Sequence, residues 1–91
     1  MIKTRLESKA GIGVDLLNYG ASIQSLRVPT PSGPVNVVLG YSDPASYLTD
    51  PYYLGCTLGR CAGRIDSGRF ELNGKTYQLE QNDAQFGHSL H

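Results

Sequence analysis

Arg69-Phe70-Glu71-Leu72-Asn73-Gly74-Lys75-Thr76-Tyr77-Gln78-Leu79 decides the class of fold. Two runs, Arg69 to Leu72 and Lys75 to Leu79, alternate apolar and polar side chains, and the Asn73-Gly74 pair between them tolerates the positive φ that a type I′ turn requires at both central residues. The stretch predicts an antiparallel hairpin with Phe70, Leu72, Tyr77 and Leu79 in reach of one core face, because alternate side chains of a strand point the same way.

Similar runs, each bounded by Gly, Pro, Asn or Asp, extend upstream. Ile2 to Ser8 and Gly13 to Tyr19 read as strands, and Gly11 between them offers the positive φ of a tight reversal. Ser22 to Pro29 reads as a third strand, with a break in alternation that suits a β-bulge. Thr30-Pro31-Ser32-Gly33-Pro34 is a loop, and Val35 to Leu39 reads as a further strand ending at Gly40. Ser42-Asp43-Pro44-Ala45-Ser46-Tyr47-Leu48 is the one helix-like start, with Ser42 or Asp43 as cap and Pro44 at the first helical position, and predicts a single turn. Gln81 to Gly87 reads as a loop. Six or seven strands with hardly any helix argue for an all-β sandwich or barrel of antiparallel sheets.

The 91 residues allow one domain at most. Eight basic and eight acidic side chains cancel, so there is no electrostatic footprint for nucleic acid or an anionic membrane as partner. No stretch approaches a membrane span, and the first residues lack the apolar region of a signal peptide, which makes the cytoplasm the expected location. Cys56 and Cys61 are too few for a disulfide framework and lack the second pair of a zinc site; reduced thiols in strands or their flanks are expected. His88 and His91 form H-x-x-H, a poor metal site from two ligands alone, so no metal is expected.

Leu58-Gly59-Arg60-Cys61-Ala62-Gly63-Arg64-Ile65, followed by Asp66-Ser67-Gly68 and the hairpin, resembles the aldose 1-epimerases, also called galactose mutarotases. That family carries G-R-x-A-N-R-I, then G-x-F-x-L-x-G-K-x-Y-x-L, then an Asn-rich loop leading to L-H-G-G. Here the loop is Glu80 to Gly87 and the chain closes on His88-Ser89-Leu90-His91. Upstream, Asn18-Tyr19-Gly20-Ala21-Ser22-Ile23 is similar to the family's N-x-G-A-x-I/L, and Val38-Leu39-Gly40-Tyr41 to its V-L-G-Y/F.

The resemblance implies that residues 1–91 are the N-terminal part of a single antiparallel β-sandwich domain, cut before the family's catalytic histidine and glutamate, so that no catalytic residue is assigned here. It implies an isomerase that interconverts α and β anomers of hexoses such as galactose and glucose. Removing the proton of the C1 hydroxyl and protonating the ring oxygen opens the ring, which closes on the other face; two acid–base groups suffice and no cofactor is needed. The expected partner is the sugar, with self-association through unpaired strand edges when the chain stands alone. A hexose 6-phosphate substrate and a non-catalytic carbohydrate-binding protein are the competing readings.

Carried over by motif position, Arg64, His91 and Gly63 are the expected substrate-binding residues. A guanidinium has five donors in a fixed fork that matches vicinal sugar hydroxyls. The bland alternative for Arg64 is capping a strand end or pairing with Asp66. Gly63 stands where the family has Asn, which removes a side chain able to donate and accept near the sugar. Arg60 is expected to be structural. Tyr41, Tyr47, Tyr52 and Tyr53 are read as core and rim residues, and Asp43 and Asp50 as turn residues.

Overall fold

A computed structural model describes residues 1–91, which divide into two compact units, Met1–Thr57 and Leu58–His91. Every strand pair in both is antiparallel, as the alternating runs predict.

The first unit is a four-stranded meander of β1 (Lys3–Glu7), β2 (Gly13–Leu17), β3 (Ile23–Val28) and β4 (Val35–Asn36), in that order across the sheet. The β1–β2 reversal places Gly11 at φ 91°, where a side chain would be strained. The expected bulge lies in β3. Asp15 pairs with Ser25 and the adjacent Leu16 with Ile23, so Gln24 is the extra residue. Its side chain is buried and donates from Nε2 to the carbonyls of Tyr41 (2.9 Å) and Ser42 (3.1 Å), tying the following loop to the sheet.

Strand β4 is shorter than the expected Val35 to Leu39. Asn36 Oδ1 accepts from the N–H groups of both Leu26 (3.0 Å) and Val38 (3.2 Å). The side chain thus stands in for a backbone acceptor and ends the ladder. Val37 and Leu39 are exposed. Pro44–Thr49 forms two turns of 3₁₀ helix, one more than predicted, capped by Asp43 Oδ1 accepting from Ala45 N–H at 3.0 Å. Asp50 is a turn residue as expected and accepts from the Tyr41 hydroxyl and from the N–H groups of Tyr52 and Leu54.

Leu17 and Tyr47 are the buried large hydrophobic residues of this unit. The unit also holds a buried charge, Asp15, 3% exposed. Arg5 grips it through Nε (2.8 Å) and Nη2 (3.0 Å), Lys3 Nζ lies at 3.3 Å and Arg27 Nη1 at 3.2 Å. The Arg5 hydrogen bond holds the carboxyl far below its ordinary range, against the opposing effect of burial. Because its partners come from β1 and β3, this hub favours one register across three strands.

In the second unit, β5 (Arg64–Ile65) pairs with β8 (Ser89–Leu90), and β6 (Arg69–Leu72) with β7 (Lys75–Gln78). The hairpin turn carries positive φ at Asn73 (51°) and Gly74 (77°), as predicted. Its apolar face is not a core, contrary to expectation. Phe70 and Tyr77 stack at 5.1 Å between centroids yet remain 38% and 37% exposed, and Leu72 is 56% exposed. Leu79 lies just beyond β7, its N–H bonded to the Gly68 carbonyl at 2.7 Å. Cys56 and Cys61 are free thiols in irregular segments, neither in a strand.

Candidate sugar-binding site

Strand β5 is only two residues long, so its placement depends on what flanks it. Leu90 pairs with Arg64. Leu90 is held in turn by the Asn82 side chain, which acts as a strand partner to β8: Oδ1 accepts from Leu90 N–H at 2.6 Å and Nδ2 donates to Leu90 O at 3.1 Å. The loop expected over Gln81 to Gly87 is thereby an ordered clamp, closed by the Asp83–His88 bridge and by Gly87 N–H donating to Asp83 O at 2.8 Å.

The same pairing brings together Gly63 and His91, two of the residues singled out by sequence. His91 N–H donates to Gly63 O at 2.9 Å, and Gly63 N–H donates to His91 Nδ1 at 3.2 Å. With Nδ1 occupied as acceptor, the neutral ring carries its proton on Nε2, the donor nitrogen of that tautomer. Gly63 adopts φ 80°, and no atom lies within 4 Å of where its side chain would begin. The position of the family's Asn is therefore open space.

Arg64 turns its side chain to Asp83, Nε to Oδ2 at 2.7 Å. Neither of the bland alternatives, a strand-end cap or a pair with Asp66, is what the geometry shows. Asp66 instead lies 3.4 Å from His88 Nδ1, which also accepts from Ser67 N–H at 3.0 Å. The Arg64 hydrogen bond is the main reason that the Asp83 carboxyl sits below its ordinary range. His88 and His91 direct their Nδ1 atoms to backbone groups of different segments, and no cluster of three or more metal-ligating side chains exists in the structure.

A hollow of about 340 Å³ lies on this unit, lined by the apolar side chains of Ile65, Phe70, Leu79 and Leu90 and by Gly63, His91 and Arg60. Arg60, read from sequence as structural, borders the hollow; the Arg64 side chain does not. Asn82 and Asp83 escaped the sequence reading, because the polar loop gave no sign that its second residue reaches 8 residues forward to Leu90 and its third 19 residues back to Arg64.

Residues 3–91 match the sequence model of the family described as aldose 1-epimerase. The chain belongs to the aldose 1-epimerase family. Among curated epimerases, it is 39% identical over 72 residues to the galactose mutarotase of Mus musculus, a match covering 78% of this chain and 21% of that protein. It is 38% identical over 78 residues to the maltose epimerase of Levilactobacillus brevis, covering 86% and 23%. The crystal structure of the aldose epimerase homologue from C. elegans superposes with a TM-score of 0.77 at 29% identity, over 99% of this chain and 28% of that one. The chain thus spans between a fifth and a third of these epimerases, and the all-β antiparallel sandwich class expected from sequence is theirs. No helix is long and apolar enough to cross a membrane.

Proposed function

We propose that the full-length protein containing this chain is an aldose 1-epimerase that interconverts the α and β anomers of a hexose such as galactose or glucose, and that residues 58–91 supply part of its sugar-binding cleft. The observation that carries the reading is the family match over residues 3–91 together with the convergence of Gly63, Arg64 and His91 on one strand pair.

Arg64 offers its outer guanidinium nitrogens and His91 its Nε2–H, both donors to sugar hydroxyls. Donors at fixed positions orient the hemiacetal so that an acid and a base on opposite sides reach the ring oxygen and the C1 hydroxyl. That acid–base pair belongs to the part of the family's length beyond His91. The open space at Gly63 leaves the sugar one potential partner fewer than the family's usual Asn supplies. Relatives named for galactose and for maltose indicate that the family's sugar differs between members.

Polarimetry of freshly dissolved α-galactose, α-glucose and α-maltose, with and without the full-length protein, tests the proposal. Acceleration of at least one is expected. Rates equal to buffer for all three and for the hexose 6-phosphates, with binding of a sugar retained, would leave a carbohydrate-binding protein.

A further inference from the structure

Arg64 and Asp83 are unequal partners. The Arg64 side chain is 53% exposed and has Asp83 as its hydrogen-bonding partner; the Asp83 side chain is 11% exposed. Asp83 is held independently of Arg64. Its N–H donates to His88 O at 3.1 Å, its carbonyl accepts from Gly87 N–H at 2.8 Å, and its carboxylate also accepts from the Gln85 N–H. A long, half-exposed arginine therefore docks on a carboxylate that its own loop has already fixed.

The contact uses Nε, one of five donors, and leaves the fork of Nη1 and Nη2 free. It also cancels the charge of the guanidinium at close range, so that the fork meets a ligand as an array of hydrogen-bond donors rather than as a net cation.

Resting on the reading of Arg64 as a sugar ligand, we infer that Asp83 is its positioning residue: it aims the free fork at vicinal hydroxyls and, by neutralising the pair, fits the site to an uncharged hexose in preference to a hexose 6-phosphate. Without Asp83 the arginine would sample many rotamers and carry an uncompensated charge. Neutral sugar then binds less well, while a phosphorylated sugar gains a partner.

The test is a double-mutant cycle in the full-length protein, with anomer exchange of galactose and of galactose 6-phosphate followed by polarimetry or a coupled assay. Asp83→Ala should raise KM for galactose by about tenfold with a smaller change in kcat, the loss expected of one misplaced charged donor. It should also narrow the preference for galactose over its 6-phosphate. Adding Asp83→Ala to Arg64→Ala should cost nothing more for galactose. Should Asp83→Ala fail to fold, Asp83→Asn preserves an oxygen for the Gln85 N–H and should still narrow the preference. An Asp83→Ala loss that persists in full in the Arg64→Ala background, or an unchanged sugar preference in Asp83→Asn, overturns the inference alone. Wild-type kinetics in Arg64→Ala overturn it together with the reading of Arg64 on which it rests.

Discussion

Gly63 and His91 exchange two hydrogen bonds, one from the His91 backbone N–H to the Gly63 carbonyl and one from the Gly63 N–H to His91 Nδ1. The pair fixes both the end of β8 and the tautomer of the imidazole, and it does so across 28 residues of chain. Gly63 reaches this geometry only with φ at 80°, a region that L side chains rarely adopt.

Substitution at Gly63 should therefore follow backbone tolerance rather than size, since the space beyond its Cα is empty. In the full-length protein, Gly63→Val is expected to lower unfolding free energy by about 1–2 kcal/mol, and Gly63→Asn by less because Asn visits the left-handed region routinely. Urea denaturation of both variants checks the order. Equal losses, or a larger loss for Asn, would show that the strain is not what governs this position.

Asp15 is expected to be the most costly single charge to remove. It is buried and its three cationic partners would be left facing one another. Asp15→Asn should destabilise by roughly 3–5 kcal/mol, against about 0–1 kcal/mol for Lys3→Met, whose ammonium is partly in water. Linkage gives the sign for pH. The folded-state pKa is depressed, so the stabilisation is fully present above the unfolded pKa of about 4 and declines as pH falls below it. Chemical denaturation between pH 3 and pH 7 (about one unit below that pKa to neutrality) should show the decline in wild type and a flatter profile in Asp15→Asn. Parallel profiles would assign the acid sensitivity to other groups.

For sugar use, Arg64→Ala should be more damaging than Arg60→Ala in the full-length protein. A donor from a charged group to bound sugar is worth on the order of 1.5–3 kcal/mol in transition-state binding. Arg60 lines a hollow together with Ile65, Phe70, Leu79 and Leu90, so its replacement is expected to act mainly on packing. Kinetics of the two variants, with circular dichroism to confirm folding, decide the assignment; the reverse order would move the sugar-facing role to Arg60.

The 91-residue chain on its own should be inactive and should self-associate or pack loosely. Leu17 and Tyr47 are its buried large hydrophobic side chains, while Ile2, Leu6, Val37, Leu39, Leu58 and Leu72 are each about half or more exposed. So small a core cannot offset backbone ordering of roughly 1–2 kcal/mol per residue. Strand β1 and the short β4 are open sheet edges that invite pairing with another copy. Size-exclusion chromatography and a thermal melt followed by near-UV circular dichroism test this; a monomer with one sharp transition contradicts it, and measurable turnover would mean that an acid–base pair lies within these residues.

What was legible in the sequence rests on short-range preferences. Asn73-Gly74 forms its turn because both residues accept positive φ, Gly11 does the same at the first reversal, and Pro44 with Asp43 starts the 3₁₀ helix. The broken alternation of Ser22 to Pro29 signalled the bulge at Gln24, and the motif order signalled the family. Only the tertiary structure decided which side chains those elements bring together. Asn36 ends β4 by inserting its amide into the neighbouring ladder, and the hairpin's apolar side chains stay partly exposed, Phe70 at 38% and Leu72 at 56%, although their alternation suits a core face. Arg64 could have met Asp66 two residues away, yet it meets Asp83, because Asp83 is pinned beside β5 by its own loop. Local sequence sets the dihedral angles of a turn or strand; which charges meet depends on the path of the chain between them, and no local pattern encodes that path.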